Sequence, residues 1–126
     1  AKLNKPISKQ AMKRWFSEEY LKSNPEVYDQ FMKILNKKPK DHLNFLKAYK
    51  LFANHKDNVE VIKNIKTKTL VMTGANDPGS TVTMSKSLSN DLLNSNFVEI
   101  SNGKHLCSIE CSDDVTMKII NFIKTK

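Results

Sequence analysis

The run Thr69-Leu70-Val71-Met72-Thr73, closed by Gly74, constrains this chain more than any other stretch. A short continuous apolar run ending on glycine has the length of a strand. Its lack of polar alternation is what a strand buried on both faces of a parallel sheet requires. Parallel strands need a crossover between them, and the following residues supply one. Ala75-Asn76-Asp77-Pro78-Gly79 reads as a turn, and Ser80 or Thr81 as the cap of a helix reaching about Leu93, with Val82, Met84, Leu88, Leu92 and Leu93 at its apolar positions. Phe97-Val98-Glu99-Ile100 then reads as a second strand and Ser101-Asn102-Gly103 as a second turn. Asp113 to Lys124 forms a last helix with Val115, Met117, Ile119, Ile120 and Ile123 inward. The order β-turn-α-β-turn-α predicts an α/β fold with a right-handed parallel crossover.

The first half carries helical spacing and strong punctuation instead. Ile7, Ala11, Met12, Trp15 and Phe16 share a helical face, and Ser17 with Glu18 and Glu19 makes a cap and acidic first turn for a short helix ending near Asn24. Asn24-Pro25-Glu26 starts another helix with Val27, Tyr28, Phe31, Ile34 and Leu35 on its apolar face, and Pro39 ends it. A fourth runs from Asp41 to about Ala53 through Leu43, Leu46, Ala48, Tyr49 and Phe52. The expected division is a helical cap or lid over residues 1–58 and a β-α-β-α core over 59–126.

Composition narrows the partners. The net charge of +8 comes from 21 Lys+Arg against 13 Asp+Glu, but Arg14 is the single arginine and the lysines are spread evenly. No basic run tracks a phosphate backbone, so a solvated lysine surface is expected and nucleic acid is not. Cys107 and Cys111 follow His105 as His-x-Cys-x-x-x-Cys, without the second ligand pair that closes a zinc tetrahedron. No metal and no cofactor are expected. Two cysteines make no disulfide framework. No stretch approaches the ~18 apolar residues of a membrane span, and the start has no signal-peptide core. A soluble, cytoplasmic chain without a membrane partner is the expectation.

Chemistry concentrates in the two turns. Ligands of open parallel sheets bind beyond the carboxyl ends of the strands, and Asp77 and His105 both follow such ends. A carboxylate accepting the imidazole Nδ1 proton would fix the tautomer and leave Nε2 free as a general base. His42 and His55 fall in polar helical surroundings and read as surface residues.

The stretch from Ile65 through Gly74-Ala75-Asn76-Asp77 to Ser80, followed by Ile100-Ser101-Asn102-Gly103-Lys104-His105-Leu106, resembles the last two strands of an α/β-hydrolase. In that family the acid follows the penultimate strand in a Gly-x-x-Asp turn and the histidine follows the last in a Gly-x-His turn. The resemblance implies that Asp77 is the triad acid and His105 the base. Arg14-Trp15-Phe16 and Asn24-Pro25-Glu26 resemble the helical cap of the branch containing 3-oxoadipate enol-lactonases and related small esterases. The implied activity is a serine hydrolase acting on a carboxylic ester or lactone, with Trp15 and Met12 as candidate apolar lining of the substrate pocket. An aspartate nucleophile would instead imply a haloalkane dehalogenase or epoxide hydrolase. A hydrolase-fold binding module or inactive remnant is the non-enzyme alternative.

One departure outweighs these matches. The family's nucleophile sits on a Gly-x-Ser-x-Gly elbow, and the glycines here stand at 74, 79 and 103, no two of them four apart. The oxyanion-hole loop and the strands that would flank Thr69 to Thr73 are also missing, and Lys68 stands where many relatives have proline. Two strands under one cap leave a free edge and an uncovered apolar face. The chain is therefore expected to be the C-terminal half of a hydrolase, inactive alone, with strand 69–73 pairing against an N-terminal half or another chain that carries the nucleophile.

Overall fold

Polar side chains cap the starts of three helices in the computed structural model, which describes residues 7–36, 43–56 and 58–125. Helix α1 spans Ile7–Trp15. The Ser17 hydroxyl then accepts the Tyr20 N–H at 3.1 Å and starts α2, Glu18–Ser23; such caps contribute about 1 kcal/mol. Pro25 opens α3, Pro25–Leu35, in the first turn where its missing N–H costs nothing. Helix α4 covers Leu43–Asn54, and α5, Val59–Lys63, is capped by Asn58, whose side-chain oxygen accepts from Glu60 and Val61. The expected stop at Pro39, the start at Asp41, His42 and the side chain of Ile7 lie outside the described residues.

The second half has the expected order. Strand β1, Thr69–Gly74, pairs in parallel with β2, Ser95–Ile100, in a register running from Thr69 opposite Ser95 to Gly74 opposite Ile100. Between them α6, Val82–Asp91, is capped by Thr81 and packs on both strands. After β2 come a short helix α7, Cys107–Glu110, and then α8, Ser112–Lys124. Helix α7 is absent from the sequence reading because a single helical turn is too short to show a period. Lys68 places its ammonium over the Phe122 ring, 4.9 Å from the centroid, and reaches the carbonyl oxygens of Phe122 and Thr125. A cation at the C-terminal end of α8 suits the helix dipole and ties that end to the start of β1.

Among the described residues the buried apolar side chains are few: Met12, Phe16 and Ile100, with Val71 and Val115 slightly more exposed. Phe16 stacks on Tyr20 and meets Phe31 edge-on at 5.2 Å, while Trp15 meets Phe31 edge-on at 5.9 Å, so aromatic contacts bind α1, α2 and α3 together. Within β1, Val71 and Thr73 are buried, whereas Leu70 and Met72 are half-buried rather than enclosed on both faces. Along α8 the inward expectation holds for Val115 alone; Met117 is 54% and Ile123 73% exposed. On α4, Leu51 and Phe52 are each 75% exposed, and on or beyond α6 Met84, Leu88 and Leu93 are exposed too. These residues have the helical spacing of a buried face but no second layer against it. The accessible surface is 9927 Å² for 14.4 kDa, against about 6,800 Å² for a closed monomer of that mass. The described residues thus leave much apolar surface uncovered.

The two strands end in close approach. A Cβ built on Gly74 would stand 2.3 Å from the Gly103 carbonyl oxygen and 2.5 Å from that of Lys104. Both obstacles are backbone, so only a shift of one turn could relieve them. By contrast, a Cβ on Gly79 would meet the Arg14 guanidinium, a movable side chain. Gly74→Ala is therefore expected to cost about 1–3 kcal/mol or more and Gly79→Ala about 0.5 kcal/mol or less, read as shifts in the denaturant midpoint of the full-length protein. Equal midpoints for the two variants would contradict the close packing of the turns.

Candidate functional site

Backbone hydrogen bonds stitch the two turns together before any side chain is involved. The Ala75 N–H donates to the Ile100 carbonyl and the Asn76 N–H to the Gly103 carbonyl, both at 2.9 Å. The register therefore continues past the strands and sets the residue after Asn76 beside the loop that follows Gly103.

That residue is Asp77. Its N–H donates to the Gly74 carbonyl at 3.1 Å, and its Oδ1 accepts the backbone N–H of Gly79 at 2.8 Å and of Ser80 at 3.1 Å. This is the self-closing turn that an aspartate before proline can make. The Thr73 hydroxyl donates to the Ser80 carbonyl at 2.7 Å and fastens the far end of the same turn. Oδ2, left over, lies 2.8 Å from His105 Nδ1. The structure thus brings the two sequence-predicted residues into direct contact across 28 positions.

Their exposures differ in the useful direction. The Asp77 side chain is 4% exposed and that of His105 35%. Burial opposes ionisation of Asp77, yet the Gly79 N–H, the His105 hydrogen bond, the Ser80 N–H and the charge attraction of His105 together outweigh it and hold the carboxyl below its ordinary value. An ionised carboxylate can only accept. His105 Nδ1 must therefore carry the proton, and Nε2 presents a lone pair with no hydrogen bond to the described residues. Such a pair can accept a proton and hold the resulting imidazolium against a fixed negative charge.

Cys107 sits next to this pair, but burial and then the Asp77 carboxylate push its thiol up, away from the thiolate that a nucleophile requires. Burial and then Glu110 do the same to Cys111. Both cysteines are free thiols.

Met12 and Trp15 are placed differently with respect to the pair. Met12 is 1% exposed in the core of the first helices and edges a hollow of about 320 Å³ whose lining includes Lys9, Lys13, Leu21, Lys22 and Tyr28, but neither Asp77 nor His105. Trp15 is half-buried against Phe31, and its carbonyl accepts the Leu106 N–H at 3.0 Å, which sets it beside the histidine loop. Sequence reading missed three residues that shape the site: Thr73, Arg14 against Gly79, and Glu110. Their spacing does not announce these contacts: Thr73 and Glu110 bond backbone brought near by the fold, and the Arg14 guanidinium lies against Gly79.

The Asp77 carboxyl gives a pH prediction with a definite sign. Its folded value lies below the ordinary 3.8, so its contribution to stability is complete above that value and is lost as pH falls through the lower folded one. Between about pH 5 and about pH 2, wild-type protein should lose more stability than Asp77→Asn, measured as urea midpoints across that range. Parallel profiles would show that the carboxylate carries no such contribution.

The family model that matches this chain is that of the Ndr family, over residues 2–125. In three dimensions the chain is similar to the enol-lactonase from Burkholderia xenovorans LB400, with a TM-score of 0.78 and 22% sequence identity over 93% of this chain. The match spans 44% of that enzyme's length. At this identity the likeness is one of fold, and the fold is a partial α/β-hydrolase. No curated protein matches the sequence. No helix among the described residues is long and apolar enough to cross a membrane.

Proposed function

The chain belongs to the Ndr family, an α/β-hydrolase-fold family, and from that premise we propose that it supplies the acid and base of a serine hydrolase acting on carboxylic esters or lactones. The observation that carries this reading is the 2.8 Å contact between a buried, ionised Asp77 and the Nδ1 of a more exposed His105. A satisfied carboxylate that spends one oxygen on its own turn and the other on an imidazole is poised for orientation rather than for binding a ligand.

In the proposed reaction His105 Nε2 takes the proton of a serine hydroxyl supplied from outside this chain as the oxygen attacks the substrate carbonyl. Asp77 stabilises the imidazolium. The proton then passes to the leaving alkoxide, and water repeats the sequence on the acyl-enzyme. Residues 1–58 would roof the pocket, with Trp15 nearer to the base than Met12. The ester or lactone class leans on the likeness to the enol-lactonase. The open edge of β1, the exposed apolar residues of α4 and α8 and the excess surface support a further stretch of hydrolase core, from the same protein or another chain, paired along residues 69–73.

A second reading has its own support. This sequence holds no nucleophile elbow, and membership of the Ndr family does not assign catalysis by itself. The fold would then serve binding, with the dyad retained as a structural pair.

A covalent serine probe and p-nitrophenyl esters, applied to the full-length protein, separate the two. The hydrolase reading expects labelling and turnover, with His105→Ala and Asp77→Asn each lowering the rate by about 10⁴-fold. A folded protein that takes no label, or variants with undiminished rates, would sink it.

A further inference from the structure

Three hydrogen bonds hold the loop bearing His105 against α1 and the cap of α2, and the side chain that accepts one of them also accepts a fourth bond from within the loop. Glu110, at the end of α7, accepts the Ser17 N–H with Oε1 at 2.9 Å and the Lys104 N–H with Oε2 at 3.1 Å. Ser17 caps α2, and Lys104 immediately precedes His105. On the other side of the histidine, the Leu106 N–H donates to the Trp15 carbonyl at 3.0 Å, and the Lys104 ammonium donates to the Lys13 carbonyl at 2.9 Å. Lys13 and Trp15 lie in the last turn of α1, where helix carbonyls have no intrahelical donor. Both neighbours of His105 are thus bonded to one helix end, and the carboxylate of Glu110 closes the arrangement through the adjoining cap. A carboxylate that accepts two backbone N–H groups forms charge-assisted bonds, stronger than neutral ones.

We propose that Glu110 is a positioning residue that couples the α1–α2 corner to His105, so that a displacement of those helices shifts the imidazole relative to Asp77. Geometry supports the coupling. Asp77 is fastened to its own turn by Gly79 and Ser80 and to the sheet by Gly74, whereas beside His105 the Lys104 N–H donates to Glu110, the Lys104 ammonium to the Lys13 carbonyl and the Leu106 N–H to the Trp15 carbonyl. Helices that move over a substrate would therefore carry the base with them while the acid stayed in place. The idea rests on the same dyad as the hydrolase reading, but the His105–Asp77 bond it acts on exists with or without a nucleophile.

The test reads that bond directly, as the solvent exchange of the His105 Nδ1 proton by NMR in histidine-labelled full-length protein. Glu110→Ala, which removes both acceptors, should exchange about tenfold faster or more. Glu110→Gln, which keeps one oxygen acceptor, should fall between it and wild type. If wild type takes a serine probe, Glu110→Ala should also label about 10²-fold more slowly, as misplaced catalytic groups do. A folded variant that exchanges at the wild-type rate overturns the proposal. Should Glu110→Ala not fold, Glu110→Gln alone decides by the same criterion. Wild type that shows the protected proton but takes no label would defeat the hydrolase reading and leave the positioning role standing.

Discussion

The whole site depends on the absence of two side chains. Gly74 and Gly103 allow the ends of β1 and β2 to close until one backbone nearly touches the other. Parallel strands are spaced at roughly 4.8 Å along their hydrogen bonds, and loops leaving them ordinarily diverge to make room for side chains. Here the two turns stay paired for two further residues, through Ala75 and Asn76. The pairing converts a sequence separation of 28 into one hydrogen bond. A methyl group at Gly74 would separate those turns, whatever Asp77 and His105 themselves preferred.

What closeness supplies, the turn then polarises. Asp77 is buried enough that ionisation would be unfavourable in an apolar setting, yet its own turn hands it two N–H donors on one oxygen. The carboxylate is stabilised before the histidine is considered, and the second oxygen can act as a fixed acceptor. The neighbours of His105, by contrast, are bonded to another element, Lys104 through its ammonium to Lys13 and Leu106 through its N–H to Trp15. The pair therefore joins a carboxylate fixed in its own turn to an imidazole whose neighbours are bonded to α1.

Much of this was legible in the residues. The strand 69–74 and its glycine, the Asp-Pro-Gly turn, the Thr81 cap and the Ser17 cap each follow local rules that hold in isolation, and the structure places them within one or two residues of expectation. Burial was not legible in the same way. Met117, Ile120 and Ile123 have inward spacing on α8 and stay exposed, because amphipathic spacing states which face seeks cover and not whether cover is present. Glu110 was invisible for a different reason. An acidic residue ending a single helical turn has no period or motif, and its bond to Ser17 exists only once residues 93 apart in sequence are neighbours.

The distribution of covered and uncovered surface carries the argument one step further. Aromatic packing of Phe16, Tyr20 and Phe31 closes α1–α3 into a small unit with its own buried centre, and that unit holds the histidine loop by one main-chain bond, from Leu106 to Trp15, and by bonds through the side chains of Glu110 and Lys104. Such bonds break and re-form over short displacements, whereas a shared hydrophobic core resists them. On the sheet side the relation is reversed: β1 and β2 are joined by a full ladder and by backbone contact at their ends, with little freedom between them. The seam between the helical unit and the sheet is crossed by these individual hydrogen bonds, and it passes directly beside His105.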